Sequence, residues 1–169
     1  MNFINLFPTI DLFILFLFAV VILIDAIFVK KEKLFIDFIA IYTAFVLIIV
    51  LPMFSTKING WFGLHEYVRL GAFLIVKFGL IFALWHSNLG EFSRRITPTQ
   101  SGTAFVYRVA LMGLFFTTIV YFLPASIKAL FGSLTIFLFG NLMAMLIWFV
   151  LPLFFAFAYR FKTRRGWIE

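Results

Sequence analysis

Long apolar runs alternate with short polar gaps along this chain. Five runs lie at 12–29, 34–54, 67–85, 104–123 and 134–159. At a rise of about 1.5 Å per residue, each can cross roughly 30 Å of hydrocarbon. Lipid offers the backbone no hydrogen bonds, so such runs must be helices or strands of a closed barrel. Continuous apolarity without alternating polar positions selects helices. The expected fold is all-α, a single integral membrane domain over 1–169 built as a polytopic bundle of five transmembrane helices.

Smaller features refine the elements. Pro52 falls near the end of the second run, where a missing N–H matters little, whereas Pro152 is interior to the fifth and predicts a kink there. That fifth run is also long enough to tilt. The gap 86–103 (HSNLGEFSRRITPTQSGT) is expected to be a flexible polar loop, and the gap 124–133 (PASIKALFGS) to hold an interfacial turn of helix.

Charge then orients the bundle. The first gap carries Lys30, Lys31 and Lys33, the second Lys57, the third Arg94 and Arg95, the fourth Lys128, and the tail 160–169 Arg160, Lys162, Arg164 and Arg165. Positively charged connections stay in the cytoplasm. The alternation therefore predicts an N-terminus outside, with the 86–103 loop and the C-terminal tail cytoplasmic. Trp61, Tyr67, Trp85, Tyr121, Tyr159 and Trp167 fall near run ends, where amphipathic rings favour the interface. No basic segment precedes the first run and no small-x-small site ends it, so it is expected to be an uncleaved span.

Composition agrees with a lipid environment. The chain is 64% hydrophobic and 12% charged, against about 25% charged residues in soluble domains. A soluble fold of this size leaves too much surface in water to hide that excess, so it must face lipid. The net charge of +7 suits anionic headgroups. Nucleic acid is not the expected partner, because the basic residues sit in the gaps rather than in a patch with interleaved aromatics. The absence of cysteine excludes disulfides and thiolate metal sites. Compact spans with short loops point to a prokaryotic inner (plasma) membrane.

Ionisable side chains inside spans are costly and are the first candidates for function. Lys77 lies near the middle of the third run, and a central lysine costs roughly 2.5–3.5 kcal/mol on insertion scales. The third helix is therefore expected to lie inside the bundle. Arg69, Phe73 and Lys77 share one of its faces, and Gly71, Gly79 and Ala83 mark a roughly opposite face suited to close helix approach. Asp25, Asp37 and Arg108 lie within about a turn of the cytoplasmic ends of their runs, and the lysine stem can snorkel toward that level. Asp25, Asp37, Lys77 and Arg108 are thus expected to form a net-neutral cluster in the inner leaflet, contributed by four helices. Asp37 shares its face with Ala40 and Ala44. Three roles fit such a cluster: pairs that fix helix register, a water-filled path or proton relay, or a lipid-headgroup site. Asn141 is expected to hydrogen-bond between helices.

Other chemistry is not indicated. His65 and His86 fall on opposite sides of the membrane in this topology, so no metal and no cofactor is expected. Glu32, Glu66, Glu91 and Asp11 read as loop and interface charges. No P-loop, Gly-x-Ser-x-Gly elbow, His-Glu-x-x-His or dinucleotide fingerprint occurs. Nothing assembles a nucleophile, a base and an orienting group, so an enzyme is not expected.

Between Asp11 and Leu123 the layout resembles the colicin V production protein (CvpA) family of small four-span bacterial inner-membrane proteins. The likeness rests on Asp11 opening the first span, the basic turn Lys30, Lys31 and Lys33, a polar loop after the third span, and Arg108 followed by Gly113 in the fourth. The chain departs from that family at 28–34 (FVKKEKL) and 109–112 (VALM), which lack its usual glycines, and in its fifth run and basic tail. The resemblance implies a role in peptide-toxin export or envelope maintenance, without catalytic residues.

The resulting expectation is a non-enzymatic scaffold or accessory subunit that binds other membrane proteins, or itself, through small-residue faces at Gly71, Gly79, Ala83 and Gly113. The alternative is a small transporter or channel component whose path is lined by Lys77, Asp25, Asp37 and Arg108.

Overall fold

A computed structural model of the chain describes residues 10–64, 67–88, 93 and 101–158. Its helices are α1 (Ile10–Phe28), α2 (Leu34–Phe54), α3 (Thr56–Leu64), α4 (Val68–Trp85), α5 (Ser101–Phe122), α6 (Ala125–Lys128), α7 (Ser133–Thr135) and α8 (Leu142–Ala158), with a π-helical segment, Ile136–Gly140, between the last two. No described residue lies in a strand. Helices α1, α2, α4 and α5 are each long and apolar enough to cross a membrane, and α7 to α8 makes a fifth if its two bent halves are one span.

The ends of these helices differ from expectation in instructive ways. Helix α5 starts at Ser101, so 101–103 form its first turn rather than the end of the 86–103 loop. The second gap holds a nine-residue helix, α3, which packs on α2 through the buried Phe62. Ser93 is fully buried, and its hydroxyl donates to the Glu32 carbonyl, so this part of the 86–103 gap is docked rather than free. The calls on His65, Glu66, Glu91, Arg94, Arg95, Tyr159, Arg160, Lys162, Arg164, Arg165 and Trp167 lie outside the described residues.

The fifth span is broken, and not at Pro152. Its two halves meet at 46° around Asn141, whose backbone is extended at φ −100 and ψ 161. The Asn141 side chain caps both halves: Nδ2 donates to the Phe137 carbonyl at 3.1 Å, and Oδ1 accepts from the Ala144 N–H at 2.6 Å. A break in lipid exposes backbone groups that need partners, and an asparagine at this N-cap supplies them. Asn141 thus bonds within its own segment, not between helices. Pro152 is buried inside α8, which runs on to Ala158.

Helix α5 is the most buried of the four straight spans and touches α1, α2, α4 and α8. Helix α4 is the least buried. The expectation that α4 lies inside the bundle is therefore corrected: only Phe73 and Lys77 are buried along it, and one face against α2 is enough to shelter the charge. On α2 the buried positions Asp37, Ala40, Ile41, Ala44 and Ile48 form one stripe at helical spacing. The small alanines let α4 approach closely.

Two contacts set the ends in register. Asp11 accepts from the Leu134 and Thr135 N–H groups at 3.2 Å each and from the Thr135 hydroxyl at 2.5 Å. It caps α7 across the bundle and is more than an interface charge. The starts of the first and fifth spans therefore lie at one end, as alternating spans require. Lys33 lies over the Trp85 ring at 4.4 Å and joins the start of α2 to the end of α4 at the other end.

Candidate functional site

The α1–α2 turn gathers the charges. Arg108, two turns into α5, points its guanidinium at the C-terminus of α1. Its Nη1 lies 3.2 Å from Asp25 Oδ2 and also donates to the Asp25 carbonyl, while Nη2 donates to the Val29 carbonyl. The last carbonyls of a helix lack partners and carry the negative end of its dipole. The Asp25 carbonyl also accepts from the Val29 N–H, so the guanidinium fork adds a second donor there and supplies one to the Val29 carbonyl, in a geometry that an ammonium cannot copy. Arg108 and Asp25 side chains are only 5% and 9% exposed.

A second pair lies between α4 and α2. Lys77 Nζ sits 3.4 Å from Asp37 Oδ1, with the two side chains 5% and 11% exposed. The same ammonium lies 3.9 Å from the centroid of the Phe115 ring on α5 and 5.0 Å from that of Phe78. Desolvated cations over ring faces gain up to roughly 2 kcal/mol, so Phe115 shares the task of holding this charge with Asp37. The four residues thus form two ion pairs, one tying α1 to α5 and the other α2 to α4.

Sequence reasoning missed several parts of this region. Tyr107 is buried beside Arg108, and its hydroxyl has no hydrogen-bond partner among the described residues. Tyr42, one turn beyond Asp37, donates to the Phe149 carbonyl of α8. Tyr42 is a tyrosine placed in the interior of its run, away from the ends where such rings favour the interface, which is the signal that marks it; Tyr107, three residues into its run, carried none. Phe115 carried no signal among 27 phenylalanines.

The small residues fall into two groups. Gly113 lies where the Trp148 ring passes, and a Cβ there would overlap that ring. Among the described residues outside its own turn of helix, nothing lies within 4 Å of where a Cβ on Gly71 or Gly79 would be, and Ala83 is exposed. That face of α4 is not packed against any other helix among the described residues. His86 Nδ1 is 2.8 Å from the Phe82 carbonyl at the end of α4. No group of three or more metal-ligating side chains occurs among the described residues.

No family model, no curated protein and no solved structure matches this chain.

Proposed function

We propose that this chain is a non-enzymatic multi-pass scaffold or accessory subunit of a prokaryotic inner membrane, with the end holding the α1–α2 turn in the cytoplasm. The observation that carries the reading is the Lys77–Asp37 contact at 3.4 Å, closed off from solvent on both sides. A charge in a conducting path must be reached by water or substrate, whereas a charge sealed against its counter-ion and a phenyl ring fixes helix register. The unpacked face of α4 supports a partner-binding role. Its Gly71, Gly79 and Ala83 allow close approach by another helix, flanked by the exposed Ile75, Phe78 and Phe82. The partner is another membrane protein or a second copy; export or envelope maintenance, implied by the CvpA-like layout, is one setting for it.

The test is to reconstitute wild type and Lys77→Leu and to compare solute and ion flux with partner recovery after mild extraction. The scaffold reading expects no flux from either, and loss of partners when Gly79 is changed to Leu. Flux that disappears in Lys77→Leu while helix content is kept would replace it with a transport role.

A further inference from the structure

The end of the bundle opposite the charge pairs carries two basic residues in a different setting. Arg69 in the first turn of α4 and Lys128 at the end of α6 line one cleft of about 520 Å³, walled by Phe62, Tyr121 and Phe122. A second cleft of about 320 Å³ shares Arg69, Tyr121 and Phe122 and runs on along α2 past Ile48, Ile49 and Pro52. Among the described residues, no Asp or Glu lines either cleft and neither cation is in an ion pair.

The two cations are held in place by uncharged groups among the described residues. Arg69 lies over the Phe62 ring with its guanidinium carbon 5.9 Å from the centroid. Lys128 donates one hydrogen bond to the Tyr121 carbonyl at 2.8 Å, which leaves two of its three donors for a ligand. Partial burial pushes the Lys128 ammonium below its ordinary pKa. Arg69 is exposed and Lys128 half-exposed, so both can be reached from outside, and an anion seated in the cleft would meet two positive charges at once.

The position selects the anion. Trp61 on α3 and Tyr67 beside the cleft mark this end as the membrane interface, and the neighbouring groove along α2 is apolar. A free oxyanion would use only the cations. A phospholipid would place its phosphate between Arg69 and Lys128 and lay an acyl chain along Ile48, Ile49 and Pro52. We propose that this cleft binds the headgroup of an anionic phospholipid. The inference needs the membrane reading but not the scaffold role.

The test uses the full chain purified in a neutral detergent, with bound lipid counted by native mass spectrometry as phosphatidylglycerol or phosphatidylcholine is added. Each basic side chain near a lipid surface is worth roughly five-fold in affinity, and two together roughly thirty-fold. Wild type is expected to keep one phosphatidylglycerol in preference to phosphatidylcholine. Arg69→Gln with Lys128→Gln should lose that preference. Lys30→Gln with Lys33→Gln, which removes the same charge from the other end, should keep it. Equal retention of the two lipids by wild type would overturn the proposal. So would an unchanged preference in a folded Arg69→Gln/Lys128→Gln protein, an equal loss in the Lys30→Gln/Lys33→Gln control, or displacement of the lipid by inorganic phosphate.

Discussion

The six-membered ring of Trp148 occupies the space that a Cβ on Gly113 would take. The indole cannot easily retreat. Its Nε1 donates to the Leu138 carbonyl at 2.7 Å across the break in the fifth span, its ring stacks on Phe139 at 6.0 Å, and Phe18 of α1 meets it edge-on at 6.3 Å. One tryptophan thus fastens α8 to α5, to α1 and to the π-helical segment.

Gly113→Ala should therefore lower stability by about 1–3 kcal/mol, the usual range for overpacking. Thermal unfolding in detergent measures it. Combining it with Trp148→Leu should cost less than the sum of the two single changes, because the clash disappears with the ring. Full additivity would mean that the two residues do not touch.

Removing one member of the Lys77–Asp37 pair should cost about 3–5 kcal/mol, since the other charge is left buried alone. Asp37→Leu with Lys77→Leu together should be nearly neutral or stabilising. A double-mutant cycle on unfolding in mixed detergent micelles reads the difference. Two single changes that are both silent would show that water reaches the pair.

Arg108→Lys is not a conservative change here. A lysine can face Asp25 but cannot also bond the carbonyls of Asp25 and Val29. A loss of about 1–3 kcal/mol is expected, because the Val29 carbonyl loses its Arg108 donor and the Asp25 carbonyl keeps only the Val29 N–H. Protease cleavage at the α1–α2 turn should speed up in step.

Asp11→Ala should loosen the start of the fifth span by about 0.5–2 kcal/mol, as other lost caps do. Hydrogen exchange at Leu134 and Thr135 should rise first, because their N–H groups lose their acceptor. Asp11→Asn should retain part of the protection.

The chain has no cysteine, so single introduced thiols report sidedness without a background. Lys30→Cys and Ser87→Cys should label from one compartment, and Lys57→Cys and Lys128→Cys from the other. The proposed orientation makes the first pair cytoplasmic.

How far the sequence leads depends on what each feature needs. Span existence follows from length and apolarity, and the straight helices differ from the five apolar runs by only a few residues at their ends. Counting residues from span ends put Asp25, Asp37 and Arg108 at a common level, and the reach of the Lys77 stem brought its ammonium toward them. Which acid meets which base depends on how the helices are rotated, and no single run contains that information. The placement of α4 at the centre failed because a charge demands only one sheltered face, and α2 supplies it. The break at Asn141 escaped because proline is the stronger signal, yet a buried Pro152 can be carried where packing holds its helix. Asp11 read as a surface charge because its partners, Leu134 and Thr135, lie more than a hundred residues away.

Both acids of the buried pairs precede both bases along the chain. A ribosome therefore delivers Asp25 and Asp37 to the bilayer on the first helical hairpin before Lys77 or Arg108 has been made. That hairpin must tolerate two orphan carboxylates on its own oiliness until α4 and then α5 arrive. The last straight span to be synthesised is also the one at the centre, so assembly closes from the inside, with Arg108 latching the oldest helix in place.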